Sequence, residues 1–391
     1  MKFIIDKTDW TPVKLSDVVT KKEENDRDNA QNMFDRFLKV EHLDAGSLHV
    51  KRWASQEAGD KINPTFYKIF RKGQVLFPTR NPHLRRAALA SFDGICGEKT
   101  LTLAPKKDVV LAEFLPFIFH SDDFYTYTTS VIVGSTNPHV RWRDVADFEF
   151  LLPPTAQQRD LSELLWTMEK NIRSKRVVEE KLTIVKRSIS QTHYYDKTIP
   201  RLHISDVCEK VQDGSHYSPA NLYDDNDGSR YIYLTSKNIR SSGLDMKKIQ
   251  YVDSDFHKGI YKRCDVKLGD ILLTKDGANT GLATLNTISE EMSLLSSVCL
   301  LRVNEKMMST YLCHYLNSDI GFTQMTGRMT GTAIKRLTLK TINKTRIPCP
   351  NIEQQENIAK KLDRIDNTMR LNSRHIADCV SVQKSFLNKV F

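Results

Sequence analysis

Residues 153–190 read PPTAQQRDLSELLWTMEKNIRSKRVVEEKLTIVKRSIS, and residues 350–387 read PNIEQQENIAKKLDRIDNTMRLNSRHIADCVSVQKSFL. Laid on itself without a gap, the chain sets Pro153 on Pro350, Gln157 and Gln158 on Gln354 and Gln355, Leu165 on Leu362, Arg173 on Arg370 and Val185 on Val382. The chain is a tandem repeat, and this segment closes each copy.

Each copy of the segment has the marks of one long helix. Thr155 and Asn351 are suited to N-caps, with Gln158 and Gln354 three residues later where a capping box places its glutamine. The prolines just upstream stop the preceding chain and define the start. Leu161, Leu165, Met168 and Ile172 follow the four-three spacing of a coiled-coil seam, as do Ile358, Leu362, Ile365 and Met369 in the second copy. About forty residues at ~1.5 Å each make a rod of roughly 55 Å. Neither rod is apolar all round, so the economical packing is one against the other, antiparallel if the globular units sit at opposite ends. Lys175 and Asn372 interrupt the two stripes midway. A solvated helix ending each of two duplicated domains is the plainer alternative.

A chain of 391 residues has room for two or three domains, and the repeat selects two. Hydrophobic residues at 40% and charged residues at 27% are the balance of a globular protein with a core in each unit. No apolar run approaches the ~20 residues of a membrane span; residues 109–119 are broken by Glu113 and Pro116. The opening MKFIIDKTDW turns polar too soon for a signal peptide. Seven cysteines at scattered spacings, with no CxxC pair, fit neither a disulfide framework nor a zinc ribbon, so a reducing compartment, the cytoplasm, is expected. A net charge of +10, spread through both halves, points to a polyanionic partner met by a folded surface.

The units open alike, with WTPVKLSDV at residues 10–18 and IPRLHISDV at residues 199–207. Strand-like runs follow: residues 72–77 (KGQVLF) and 100–103 in the first unit, residues 268–273 (LGDILL) in the second. Residues 113–120 and 310–317 read as equivalent short helices, each followed by Ser-Asp, and Gly134-Ser135 matches Gly331-Thr332. The middles differ. DGSHYSP at 213–219 and LTSKNI at 234–239 have no copy in the first unit, and TRNPHLRR at 79–86 has none in the second. Shared frames with unshared loops describe two readers of different things.

Motifs for catalysis are missing. There is no GxxxxGK[ST], GxGxxG, HExxH or EF-hand loop, so no catalytic residue, metal or cofactor is assigned. Residues 63–66 (NPTF) come near the Asn-Pro-Pro-Phe/Tyr tetrad of adenine methyltransferases but depart at Thr65, and no glycine-rich turn accompanies them; a proline turn into a strand explains them equally. His120 and His314 fall on expected helices, and His83, His216 and His257 in loops, none with a second ligand at metal spacing. Loop 79–86 mixes Arg80, Asn81, His83, Arg85 and Arg86, residue types that meet phosphates and base edges. Residues 275–281 (KDGANTG) follow a buried strand, where glycines allow close backbone approach to a groove, or a hairpin turn.

Together these phrases resemble a type I restriction-modification specificity (S) subunit over essentially the whole chain. The two-fold repeat, LSDV at 15–18 with ISDV at 204–207, and the PPTAQQ and PNIEQQ helix starts carry the resemblance. In the second unit DGSHYSP, LTSKNI and GDILLTKDG at 269–277 are also similar to phrases of that family's target recognition domains; the first unit departs, having no DGxH phrase. The resemblance implies an α+β protein with two similar mixed α/β target recognition domains, separated by two long antiparallel coiled-coil helices in a pseudo-two-fold repeat. The implied boundaries are recognition domain 1 at 1–152, helix 1 at 153–196, recognition domain 2 at 197–349 and helix 2 at 350–391.

It further implies a noncatalytic subunit that reads a split, asymmetric site in double-stranded DNA and docks two methyltransferase (M) subunits and motor-nuclease (R) subunits. The DNA-binding residues are then expected among Arg80, Asn81, His83, Arg85, Arg86, Ser215, His216, Lys237, Asn238, Lys275, Asn279 and Arg328. Gln157, Gln158, Trp166, Gln354, Gln355 and Arg364 at the helix bases are expected to bind partners. Two major-groove readers stand about one turn, ~34 Å, apart on B-DNA, which a rod of roughly 55 Å can maintain. The competing readings are a self-contained DNA adenine methyltransferase using residues 63–66, and a coiled-coil scaffold that binds only protein.

Overall fold

The structure is a computed structural model and describes residues 5–327, 329 and 336–391. The chain divides into two compact mixed α/β units, residues 1–176 with 375–391 (unit 1) and residues 177–374 (unit 2).

In unit 1 the run 72–77 forms a strand because its glycine makes the turn before it. Gly73 takes φ +86°, a left-handed conformation, while the Gln74 amide closes on the Arg71 carbonyl at 3.1 Å. The chain then enters Val75–Pro78 with all four residues buried. Unit 2 repeats the device: Gly269 at φ +85° feeds the wholly buried strand Ile271–Thr274. Buried strands without alternation need both faces covered, and short helices and loops supply the cover.

Four strands make the shared sheet of unit 1: β1 (Val19–Lys21), β2 (Val75–Pro78), β3 (Ala88–Leu89) and β4 (Thr100–Pro105), in the order β1-β4-β2-β3. Unit 2 has β5 (Cys208–Asp213), β6 (Ile271–Thr274), β7 (Ala283–Leu285) and β8 (Val298–Val303), in the equivalent order β5-β8-β6-β7. Every pairing in both sheets is antiparallel. A two-stranded ribbon accompanies each: Thr11–Lys14 with Glu149–Leu152, and Arg201–His203 with Arg346–Pro348. The remaining sheets are unlike. Unit 1 carries a five-stranded sheet that includes Lys68–Phe70 and Gly94–Cys96. Unit 2 carries a three-stranded one, with Tyr231–Leu234 between Gln250–Val252 and Met292–Leu294.

The long helices are α1 (Thr155–Tyr194) and α2 (Ile352–Val390). Asn351 caps α2 as expected, its side-chain oxygen accepting from the Gln354 amide at 2.9 Å. In α1 the cap lies one residue earlier than expected, at Pro154, whose carbonyl accepts from the Gln158 amide at 2.9 Å. Thr155 is thus the first helical residue, and Gln158 is no capping-box member.

Each unit contains one part of each helix. In unit 1, Asn171 of α1 meets Cys379 of α2 at 3.7 Å and Glu169 meets Gln383 at 3.4 Å. In unit 2, Lys186 pairs with Asp366 at 2.5 Å and Glu179 with Ser373. Numbers rise on one helix as they fall on the other, so within each unit the two segments run antiparallel. The seam positions have a second role. Leu161, Leu165 and Met168 join the core of unit 1 with Phe114, Phe117, Phe386, Leu387 and Val390, and Ile358 and Leu362 join the core of unit 2 with Tyr194, Tyr311 and Tyr315. Ile172 is buried, and Ile365 and Met369 are half-buried. Leu165 is fully buried, and Leu165→Ala is expected to cost about 2 to 5 kcal/mol, read by urea unfolding; a change within 0.5 kcal/mol would show this stripe to be peripheral to the unit 1 core.

Candidate nucleic-acid interface

In unit 2 the loops singled out in the sequence converge on one buried carboxylate. Asp213 ends β5 and is 3% exposed. Its Oδ2 lies 3.2 Å from Lys275 Nζ and 3.2 Å from His216 Nε2, and its Oδ1 lies 3.3 Å from Arg263 Nη1. Gln212 Nε2 donates to Oδ1 at 3.2 Å, and Arg263 Nη2 donates to the Gly214 carbonyl at 2.6 Å. A carboxylate cannot remain ionised away from water without such partners. A lysine, an arginine and a histidine from three segments share one anion.

Gly214 brings the loop onto the neighbouring strand. A Cβ there would lie 1.9 Å from the Leu294 carbonyl oxygen. The close approach lets the Ser215 amide donate to that oxygen at 2.7 Å and the Ser296 amide donate to the Ser215 carbonyl at 2.8 Å. Beyond it His216 and Tyr217 turn outward, Tyr217 81% exposed. Loop 275–281 stands alongside, Asn279 Nδ2 donating to the Ser236 carbonyl at 3.2 Å and the Lys275 amide to the Ser297 carbonyl at 2.9 Å. This loop is the hairpin between β6 and β7.

Several expected contacts are spoken for inside the unit. Ser215 is buried, its hydroxyl bonded to the Tyr217 carbonyl at 2.7 Å and receiving the Tyr217 amide at 3.1 Å. Asn238 is buried, its oxygen accepting from the Thr235 amide at 3.0 Å and its amide donating to the Asp245 carbonyl at 3.1 Å. Both brace their own loops. His216 and Lys237 are exposed, and Lys275 and Asn279 are half-buried at the same surface. Arg328 lies outside the described residues, as do Gly331 and Thr332.

In unit 1 the basic loop is partly self-satisfied. Arg85 pairs with Asp122 at 2.5 Å and lies 5.0 Å over the Tyr125 ring. Burial raises the Asp122 carboxyl, but Arg85, Asn388 and Lys384 outweigh it and hold the group below its ordinary value. Arg86 Nη1 reaches the Val40 carbonyl at 3.5 Å, its Nε buried. Both arginines, expected on DNA, hold the loop to its own unit. Arg80, Asn81 and His83 are its exposed polar members, and Asn81 takes φ +52°. Arg80, Lys99, Thr65 and Phe66 line a groove of about 340 Å³. Asn63, in the methyltransferase-like tetrad, turns its side-chain oxygen on its own loop, accepting from the Thr65 amide and hydroxyl at 2.9 Å each. This is an Asx turn leading toward Lys68–Phe70.

The helix-base residues also sort into two groups. Gln158 is buried, its oxygen accepting from the Leu111 amide at 2.8 Å and its amide donating to the Val109 and Pro153 carbonyls at 3.2 and 2.9 Å. Gln355 does the same in unit 2, accepting from the Met308 amide at 2.8 Å and donating to the Lys306 and Pro350 carbonyls at 2.9 and 2.8 Å. Burial turns both side chains to the interior of their units. Trp166 is likewise turned inward, its indole N–H on the Glu113 carbonyl at 2.8 Å and its ring 5.0 Å from Phe117. Gln157 receives the Trp10 indole N–H at 2.6 Å. Gln354 and Arg364 are exposed, Arg364 in a groove of about 260 Å³ along α2 with Glu353, Lys360 and Lys361.

Sequence reasoning missed Arg263 and Tyr217. Tyr217 had a signal, since it adjoins His216 in a polar loop; Arg263 had none, lying fifty positions from its anion. Among the described residues no group of His, Cys, Asp and Glu stands together as a metal site, and no helix is long and apolar enough to cross a membrane.

Residues 201–378, which hold the Asp213 arrangement, match the type I restriction modification DNA specificity domain. Among its relatives is the type I restriction enzyme MjaVIII specificity subunit of Methanocaldococcus jannaschii, 29% identical over 175 residues that make up 44% of this chain and 38% of that protein. The type I restriction-modification S subunit from M. genitalium has the same fold, with a TM-score of 0.64 at 12% identity, covering 100% of this chain and 98% of that one. A chain solved in work on complex assembly and conformational transition of the type I R-M system aligns with a TM-score of 0.59 at 17% identity, covering 97% of each.

Proposed function

We propose that this chain is the DNA-recognition subunit of a type I restriction-modification complex. Each unit reads its own part of a bipartite, asymmetric site in double-stranded DNA, and α1 and α2 act as the ruler between the parts. The chain docks two methyltransferase subunits and the restriction subunits, which supply the methyl donor and the ATP chemistry, and it carries no catalytic step itself. Such a complex works in the cytoplasm, on duplex DNA.

The observation that carries this reading is the cationic surface of unit 2, held by Asp213 within the family-matched residues and flanked by the exposed Tyr217 and Lys237. In unit 1 the exposed Arg80, Asn81 and His83 are the corresponding candidates. The exposed faces near Gln354 and Arg364 are where the helix bases remain available to a protein partner.

The test is duplex binding by the full chain across salt. A subunit that neutralises several phosphates shows log affinity falling linearly with log salt, with a slope of about −0.9 per phosphate. A protein-only scaffold shows no such slope. Calorimetry with S-adenosylmethionine separates the methyltransferase reading, which requires the chain alone to bind that donor.

A further inference from the structure

Arg263 is held by two hydrogen bonds inside the unit. Nη1 donates to Asp213 Oδ1 at 3.3 Å and Nη2 to the Gly214 carbonyl at 2.6 Å. Two of the five guanidinium N–H groups are therefore committed inside the unit, while its positive charge stays at the surface, the side chain 43% exposed. His216 beside it is 58% exposed, and Lys275 behind them is 12% exposed. Asp213 supplies one negative charge against two permanent positive charges and an imidazole. The surplus is positive and fixed in position.

We propose that His216, Arg263 and Lys275 form a site for a backbone phosphate of the bound DNA, and that Asp213 is the positioning residue that assembles it. This rests on the DNA-recognition reading and adds to it a division of labour. The Asp213 site fixes the register of unit 2 on the duplex, and base discrimination falls to other side chains. His216 Nε2 and Lys275 Nζ contact the same carboxylate oxygen, so a single phosphate can meet more than one of these cations.

Charge alone and positioning make opposite predictions for Asp213→Asn. The substitution raises the net positive charge of the site, so a purely Coulombic surface binds DNA more tightly. A positioning role requires the reverse, because the three side chains lose the group that gathers them.

The experiment measures binding of the full chain to a long fluorescent duplex of random sequence across roughly 50 to 200 mM salt. Arg263→Gln is expected to reduce the magnitude of the salt slope by about 1, and Arg263→Lys to restore it. Asp213→Asn is expected to weaken binding roughly tenfold, yet to have little further effect in a chain that already carries Arg263→Gln and Lys275→Gln. Methylation mapping with the assembled complex should show the recognition sequence unchanged in Arg263→Gln.

An unchanged slope in Arg263→Gln, tighter binding in Asp213→Asn, or a relaxed recognition sequence would overturn the phosphate site. Equal losses from Asp213→Asn in both backgrounds would mark it as merely structural and overturn its positioning role. If the unaltered chain shows no salt-dependent binding, the DNA-recognition reading itself falls, an outcome distinct from all of these.

Discussion

Gly214→Ala is expected to destabilise unit 2 by about 3 kcal/mol or more and to remove its contribution to duplex binding. An added Cβ would stand 1.9 Å from the Leu294 carbonyl oxygen and 2.2 Å from its carbon, and neither is the end of a flexible side chain. Backbone must move. The hydrogen bonds of Ser215 and Ser296 across that gap break with it, and the Gly214 carbonyl that anchors Arg263 is displaced. Gly259, on the helix Ser254–Tyr261, gives the control, since a Cβ there meets nothing within 4 Å. Gly259→Ala should stabilise the unit by roughly 0.5 to 1 kcal/mol through helix propensity. Urea unfolding and duplex titration of both variants check the pair, and equal stabilities would show that the tight crossing at Gly214 is not required.

Gln355→Leu is the second large effect, expected to cost about 3 kcal/mol or more. One buried amide accepts from the Met308 N–H and donates to two carbonyls, Lys306 and Pro350. Leucine fills the space but removes the side-chain partner of the Met308 amide and of the Lys306 and Pro350 carbonyls, leaving Lys306 only the Cys349 thiol at 3.5 Å. Gln355→Glu should fare no better, because a carboxylate has no donor for the two carbonyls. Gln158→Leu is expected to do equivalent damage in unit 1, exposing the same three kinds of backbone group at Leu111, Val109 and Pro153. Hydrogen exchange at the Met308 amide reports the local loss, and full protection retained in Gln355→Leu would refute the brace.

The frame was legible because it rests on local chemistry. Gly73 and Gly269 announce the turns before β2 and β6, and the stripe through Leu165 and Leu362 announces the long helices. The glutamine pair was legible as a repeat but not as a brace. Position in a helix start favours capping, and only the fold brings residues 109 to 111 and 306 to 308 over the side chains. The Asp213 cluster was half legible. His216 and Lys275 drew attention through their loops, but the anion that joins them to Arg263 is a tertiary fact. For Arg85 and Arg86 the sequence shows a dense basic loop but not the Asp122 carboxylate and the Val40 carbonyl that they also meet within their own unit.

Residues 375–391 belong to unit 1, where Phe386, Leu387 and Val390 pack among its aromatic residues. On the ribosome, unit 1 is synthesised first but cannot bury that face until translation has passed through the whole of unit 2. The second unit, built from a single continuous stretch, has no such wait. The order of completion is thus the reverse of the order of synthesis. Until Phe386 emerges, the nascent first unit carries an open apolar flank of the kind that chaperones hold.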